Sequence, residues 1–270
     1  MTRKATSSRF PLGLDRVGTT ATRTTAQTLR PQRLLHDAAR DAARDQAPSG
    51  LGLDSAVVRA RLVDRLRAAG IGDEAVLAAM ARVERHHFVD TALANQAYED
   101  TSLPIGHGQT ISKPSVVARM LVLLRERPGA GPEQGLGKVL EIGTGCGYQA
   151  ALLALLARRV VSIERVKALH EVARVNLEAV RGHQVRLVFG DGRLGHAPNA
   201  PYDTIIAAAG GDALPPVWLD QLADGGRLVA PMHDAKSGGQ LLYVVDKRDG
   251  VCRHQHLDAV HFVPLKSGTV

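Results

Sequence analysis

The apolar run Val139-Leu140-Glu141-Ile142 ends in Gly143-Thr144-Gly145-Cys146-Gly147, and an Ala/Leu-rich stretch from Tyr148 follows without a break. A strand that stops in Gly-x-Gly-x-Gly and feeds a helix lets backbone approach a ligand closely at the carboxyl edge of a parallel sheet. A ligand carrying adenosine and ribose is therefore expected. The spacing narrows the choice further. A dinucleotide fingerprint wants its third glycine one position beyond Gly147, where Tyr148 stands, and no Gly-Lys-Ser/Thr follows for a triphosphate loop. Glycine turns after strands also have a purely structural use, so the loop needs supporting residues before it names a site.

Downstream of Lys138 the chain alternates in the manner of an α/β fold, which predicts a doubly wound, mostly parallel sheet with helices on both faces. Residues 139–142 form the first strand and 148–157 its helix; 160–164 form the second strand and 167–180 its helix. Residues 185–189, 204–209 and 227–231 supply three more strands, the last after a short helix near Trp218. Residues 241–246 and a run near 260–263 are expected to pair antiparallel through Asp249-Gly250. Upstream, Val58, Leu62 and Leu66 recur every four residues and stop at Gly70, and Asp73 caps a second helix through Val76, Met80 and Val83. Residues 87–113 read as irregular and lead into a helix with Pro114 in its first turn. From spacing alone, Ser112 is an N-cap for that helix and Thr110 a loop residue.

Charge is unevenly placed. Residues 1–50 hold nine Lys/Arg against four Asp, so most of the net charge of +7 lies in this extension. Its mixed Thr, Ser, Arg, Gly and Pro, a short helical stretch at 34–44 and the linker-like Ala47-Pro48-Ser49-Gly50 read as a flexible basic tail. That placement argues against a nucleic-acid-binding core, and no run approaches membrane-spanning length. Residues 51–270 are expected to form one domain, with a helical segment at 51–137 beside the sheet of 138–270. Aromatic residues make up only 3%, so the core must be aliphatic. Two cysteines without a CxxC offer neither a disulfide framework nor a zinc knuckle, and the N-terminus lacks a secretory apolar core. A reducing cytoplasm is the expected location. His254-x-His256 with His261, and His86-His87, read as strand or surface histidines, so no metal is expected. No Gly-x-Ser-x-Gly elbow supports hydrolysis.

Two acids follow the glycine loop in the order an adenosine site requires. Glu164 ends the second strand about 20 residues after the loop, where a carboxylate can accept from both ribose hydroxyls. Asp191, in Gly190-Asp191-Gly192 after the third strand, can accept from an adenine amino group. Either acid alone could be a solvated loop carboxylate or a helix cap. With the glycine loop they resemble the Rossmann-like S-adenosyl-L-methionine-dependent methyltransferases over roughly residues 138–232.

Upstream lies Pro104-Ile105-Gly106-His107-Gly108-Gln109-Thr110-Ile111-Ser112-Lys113-Pro114. Together with His87-Phe88-Val89, Tyr98-Glu99-Asp100 and Phe262-Val263-Pro264-Leu265, this segment resembles the protein-L-isoaspartate O-methyltransferase family over nearly everything after residue 54. The resemblance implies an active-site role for Ser112, substrate contacts from Thr110, Ile111 and Ser112, and methylation of the α-carboxyl of L-isoaspartyl residues in damaged proteins and peptides. It implies cofactor contacts from Glu141, Thr144 and Gly192 beside Gly143, Gly145, Gly147, Glu164 and Asp191, with S-adenosyl-L-homocysteine as product. A monomer acting without nucleic acid, membrane or metal is expected. A methyltransferase for another carboxylate or small molecule, and a nucleic-acid binder using the basic tail, are the alternatives. Lys113, Cys146 and the turn Ala208-Ala209-Gly210-Gly211-Asp212 depart from the family pattern, and the turn leaves the acceptor side open.

Overall fold

The computed structural model describes residues 56–131, 135–178 and 184–270. The expectations for residues 1–50 lie outside this range, whereas the helix expected over 167–180 ends at Asn176, where Leu177 caps it.

Helix α1 (Ala56–Ala68) buries Leu62 and Leu66, as their spacing requires. It closes with Gly70 at φ +97°, where the Ile71 N–H reaches Leu66 O (3.1 Å) and the Gly70 N–H reaches Arg67 O (3.0 Å). Only a residue tolerant of left-handed backbone completes that paired closure without strain. Helix α2 (Glu74–Arg82) starts at Asp73, whose Oδ1 accepts the Val76 N–H at 3.0 Å.

Residues 103–111, read above as irregular, form a hairpin of β1 (Leu103–Gly106) and β2 (Gln109–Ile111). His107 (φ +53°) and Gly108 (φ +66°) turn it, and two successive positive φ values are what a tight two-residue hairpin demands. A four-residue strand with a bulge is too short to show alternation in sequence. Helix α3 (Pro114–Arg125) follows with proline in its first turn. Its N-cap is Lys113, not Ser112. Asp100 supplies the missing acceptor from a distance: its carboxylate takes the Ser115 N–H (2.8 Å) and the Ser115 Oγ–H (2.7 Å).

The sheet contains β3 (Lys138–Ile142), β4 (Arg159–Glu164), β5 (Val185–Phe189), β6 (Tyr202–Ala207), β7 (Leu222–Asp234), β8 (Gly239–Arg248) and β9 (Val251–Val260). Helices α4 (Tyr148–Leu156), α5 (Lys167–Asn176) and α6 (Pro216–Gln221) connect them. Strand order is β5-β4-β3-β6-β7-β8-β9, parallel from β5 to β7 and antiparallel beyond. The last strand is β9, not residues 260–263, although the turn at Asp249-Gly250 stands where it was expected. β9 is an exposed edge strand rich in polar side chains, so it shows no apolar alternation. β6 and β7 also differ from the expected bounds, β6 starting and ending two residues earlier.

Two cores flank the sheet, one on each face. Val139, Val160, Ile206 and Val229 face the helical layer, with Leu121, Leu124 and Leu152. Leu140, Val161, Ile205 and Leu228 face the other side, with Trp218. This period-two alternation is the pattern of a strand buried on both faces. Because β4 lies to one side of β3 and β6 to the other, the order reverses there. Open α/β sheets bind ligands at the carboxyl ends of such a pair, where the following loops diverge and leave a crevice.

Candidate active site

A cleft opens at that switch point. Its walls come from three directions: β2 and the residues after it (Thr110, Ile111, Ser112), the loop after β3 (Gly143 to Cys146), and the ends of β4 and β6 (Glu164, Ala208). A fourth wall is the closing segment, through Val263, Pro264 and Leu265.

The glycine loop is built for close approach. Gly143 leaves β3 at φ +89°, and its N–H and that of Thr144 both donate to Ile163 O (2.9 and 3.2 Å). Gly145 turns at φ +56°, and a Cβ added there would stand 3.2 Å from Ile105 Cδ1. The hairpin therefore seats directly on the loop. Gly147 does not line the cleft. It is the N-cap of α4 at φ +94°, and a side chain there would press on Leu177.

Glu164 does line the cleft and is 5% exposed. Its Oε2 accepts the Gly145 N–H and its Oε1 the Val166 N–H, both at 2.9 Å. Each carboxylate oxygen keeps a second lone pair, so the group is oriented by backbone and can still accept from a diol.

Glu141 lies one layer beneath the loop, fully buried and outside the cleft wall. Gln149 Nε2 donates to its Oε1 at 3.0 Å, Ser162 Oγ bonds its Oε2, and Ser162 Oγ and Thr144 Oγ1 are 2.6 Å apart. Burial pushes this carboxyl up to about 8, against the opposing bonds from Ser162 and Gln149. When ionised, Glu141 accepts from Ser162. When protonated on Oε2 it donates instead, and the chain through Ser162 to Thr144 reverses. The loop's hydroxyl is thus coupled to a buried proton.

Asp191 is also not at the wall, although Gly192 is. Its Oδ1 accepts the Arg193 N–H (2.8 Å) and its Oδ2 the Gly268 N–H (2.6 Å). Arg165 holds the same segment through Gly268 O (2.7 Å) and Ser267 O (3.3 Å). The altered turn meets this segment from the other end: the Gly210 N–H donates to Val263 O (2.8 Å) and the Leu265 N–H to Gly210 O (2.7 Å). Sequence reasoning gave the closing segment no role, and only the similarity of Phe262-Val263-Pro264-Leu265 to the family marked it.

Ser112 lines the cleft and, among the described residues, its hydroxyl has no hydrogen-bond partner. Its carbonyl accepts from Arg85 Nη2 at 2.8 Å. Cys146 lines the cleft too, but burial pushes its thiol up to about 11, so it is an inert apolar filler at neutral pH. Lys113 is exposed and away from the wall. Glu84, His86 and His87 bring a carboxylate and two imidazoles within 4.8 Å of one another away from the cleft, where Arg59 pairs with Glu84 at 2.8 Å. Among the described residues no helix is long and apolar enough to cross a membrane.

Residues 58–270 match the family model of protein-L-isoaspartate(D-aspartate) O-methyltransferase. A protein-L-isoaspartate O-methyltransferase of Methylibium petroleiphilum is 61% identical over 262 residues, covering 97% of this chain and 96% of that one. Another, from Leptothrix cholodnii, is 64% identical over 242 residues, covering 89% and 84%. Among solved structures, a protein-L-isoaspartate O-methyltransferase superposes with a TM-score of 0.66 at 28% identity, over 77% of this chain and 66% of that one. A putative Plasmodium falciparum protein-L-isoaspartate O-methyltransferase in complex with S-adenosyl-L-homocysteine gives 0.64 at 25% identity, over 77% and 98%.

Proposed function

This chain belongs to the protein-L-isoaspartate(D-aspartate) O-methyltransferase family, and from that premise we propose how its cleft divides the work of methyl transfer. The reaction moves a methyl group from S-adenosyl-L-methionine to isoaspartyl residues of damaged proteins and peptides, initiating their repair.

The residues present suit that donor. Gly143 and Gly145 expose backbone at a strand end, and Glu164 is a buried, pre-oriented diol acceptor whose negative charge disfavours a 2′-phosphate. When bound, S-adenosyl-L-methionine supplies an electrophilic methyl group on a sulfonium. Gly143, Thr144 and Gly145 cradle it, and Glu164 accepts from its ribose. Gly192 completes the wall by packing closely on Ile142, where a Cβ would collide. Glu141 acts from beneath through Ser162 and Thr144, Gly147 by starting α4, and Asp191 by holding the closing segment.

Thr110, Ile111 and Ser112 take the isoaspartyl side. The free α-carboxyl is ionised at neutral pH, so no strong base has to act and no metal is required by the chemistry. What remains for the protein is alignment and exclusion of water. Ser112 donates a hydrogen bond that orients the acceptor carboxylate, while Ile111, Val263 and Leu265 keep the surroundings apolar. Esterification makes that carboxyl a better electrophile, and the neighbouring amide nitrogen can then close a succinimide, losing its proton as the ester releases methanol. We place the enzyme in the cytoplasm, where its two unpaired cysteines suit a reducing medium, acting as a monomer because one chain furnishes every wall of the cleft.

The observation carrying this reading is that Ser112 and the Gly143–Cys146 loop line one cleft with Glu164 at the switch point. Labelled methyl transfer to paired peptides, one with isoaspartate and one with aspartate, tests it. Strong preference for the isoaspartyl peptide is expected, and equal labelling would overturn the specificity.

A further inference from the structure

Arg85, in the short helix Arg85–Phe88, is among the largest fully buried side chains and is 0% exposed. Among the described residues no carboxylate pairs with its guanidinium. Its Nε donates to Ala97 O (2.8 Å), and its Nη2 to Ser112 O (2.8 Å) and, at the limit of a hydrogen bond, to Thr101 O (3.5 Å). Its central carbon sits 4.8 Å from the centroid of the Tyr148 ring. Nη1 is buried and has no hydrogen-bond partner among the described residues.

A buried guanidinium without a counter-ion is costly, and an apolar side chain of the same volume would fill the space at lower cost if packing were its only purpose. Carbonyl oxygens and an aromatic face offset part of that cost. They leave the positive charge only partly offset, with the Asp100 carboxylate acting on it from beyond ion-pair distance, immediately behind Ser112 and behind Tyr148, both of which line the cleft. Burial lowers the pKa of Arg85, against the opposing pull of Tyr148, Cys146 and the Asp100 carboxylate, and a guanidinium stays protonated near neutral pH.

We propose that Arg85 is the positioning residue of the substrate loop: its fork sets Ser112 through the backbone carbonyl, and its buried charge, paired with no carboxylate at ion-pair distance, selects an anionic group at Ser112. This rests on the reading that the Ser112 loop receives the isoaspartyl carboxylate. The ligand class follows from chemistry on both sides, since a buried cation without an ion-pair partner favours an ionised acceptor over its neutral counterpart. In a poorly solvated site such a charge acts over several ångströms.

The test compares an isoaspartyl peptide with the same peptide bearing a carboxamide in place of the free α-carboxylate, as ligands of the enzyme saturated with S-adenosyl-L-homocysteine. Arg85→Met is expected to weaken the carboxylate peptide about tenfold while moving the carboxamide peptide by less than about twofold. Arg85→Lys keeps charge without the fork, so it should retain the preference for the carboxylate yet lower kcat with labelled donor. Equal weakening of both peptides by Arg85→Met would reduce Arg85 to scaffold and overturn the proposal. If Arg85→Met does not fold, loss of the carboxylate preference in folded Arg85→Lys overturns it instead. Ser112→Ala in the otherwise unchanged enzyme separates the underlying reading: no effect on isoaspartyl turnover would remove that reading and the proposal together, whereas a normal Ser112 effect with equal peptide losses removes the proposal alone.

Discussion

The backbone N–H of Gly268 donates to Asp191 Oδ2 at 2.6 Å, tying the closing segment of the chain to the end of β5. Asp191 therefore acts on the cleft through residues 263–268, whose first members form its fourth wall. Asp191→Asn removes the anionic acceptor and should weaken binding of S-adenosyl-L-homocysteine about tenfold, as expected for a lost hydrogen bond to a charged group. Removal of residues 267–270 deletes the donor and should do the same. Calorimetric titration of both variants and their double mutant is decisive: the double mutant should be little worse than either single one. Simple addition of the two losses would separate Asp191 from the segment.

Ser112→Ala should lower kcat by about ten- to a hundredfold while leaving the affinity for S-adenosyl-L-homocysteine within about twofold. The hydroxyl faces the cleft without an internal partner, so its removal leaves no buried group unsatisfied. Steady-state turnover with saturating isoaspartyl peptide, beside donor-product titration, reads the split. Unchanged kcat would deny Ser112 its orienting role.

Glu141 gives stability a pH signature. Burial raises its folded-state pKa to about 8, above an ordinary value of 4.5, so the folded protein holds this proton more tightly than the unfolded chain does. The contribution is fully present below about pH 4.5 and is lost as pH rises towards 8. Glu141→Gln keeps an acceptor for Gln149 and a donor for Ser162 but cannot ionise. Urea unfolding of both proteins should show the wild type losing ground to Glu141→Gln across that window, by an amount on the order of a few kcal/mol, and running parallel to it above. Parallel profiles throughout would mean that Glu141 is ionised in the folded state.

Asp100→Ala should destabilise the fold by about 1 kcal/mol, the usual cost of a lost N-terminal cap. Because Asp100 ties the turn before the hairpin to the helix after Ser112, the variant should also raise KM for the peptide more than KM for the methyl donor. Denaturant midpoints and the two KM values check both halves. A stability loss with equal KM changes would confine Asp100 to capping.

Local pattern made much of this molecule readable. The helix closed by Gly70, the Asp73 cap, the apolar run of residues 139–142 and the glycine loop all follow from interactions within a few residues, which spacing records directly. Glu164 was legible for the same reason, since it ends a strand whose length and neighbours are local facts. Where apolar alternation was weak, as in β9, or the strand too short, as in β1, the pattern had too little to show.

By itself, then, the amino-acid sequence determined the α/β alternation, the glycine loop and the order of the acids after it. Tertiary structure alone decided what those groups touch. Asp100 caps a helix 15 residues on, Arg85 reaches the carbonyl of Ser112 across 27 residues, and Gly268 meets Asp191 across 77. Hydrogen bonds at such separations form only after packing has brought distant backbone together and excluded water from between its polar groups, and no spacing rule encodes that meeting.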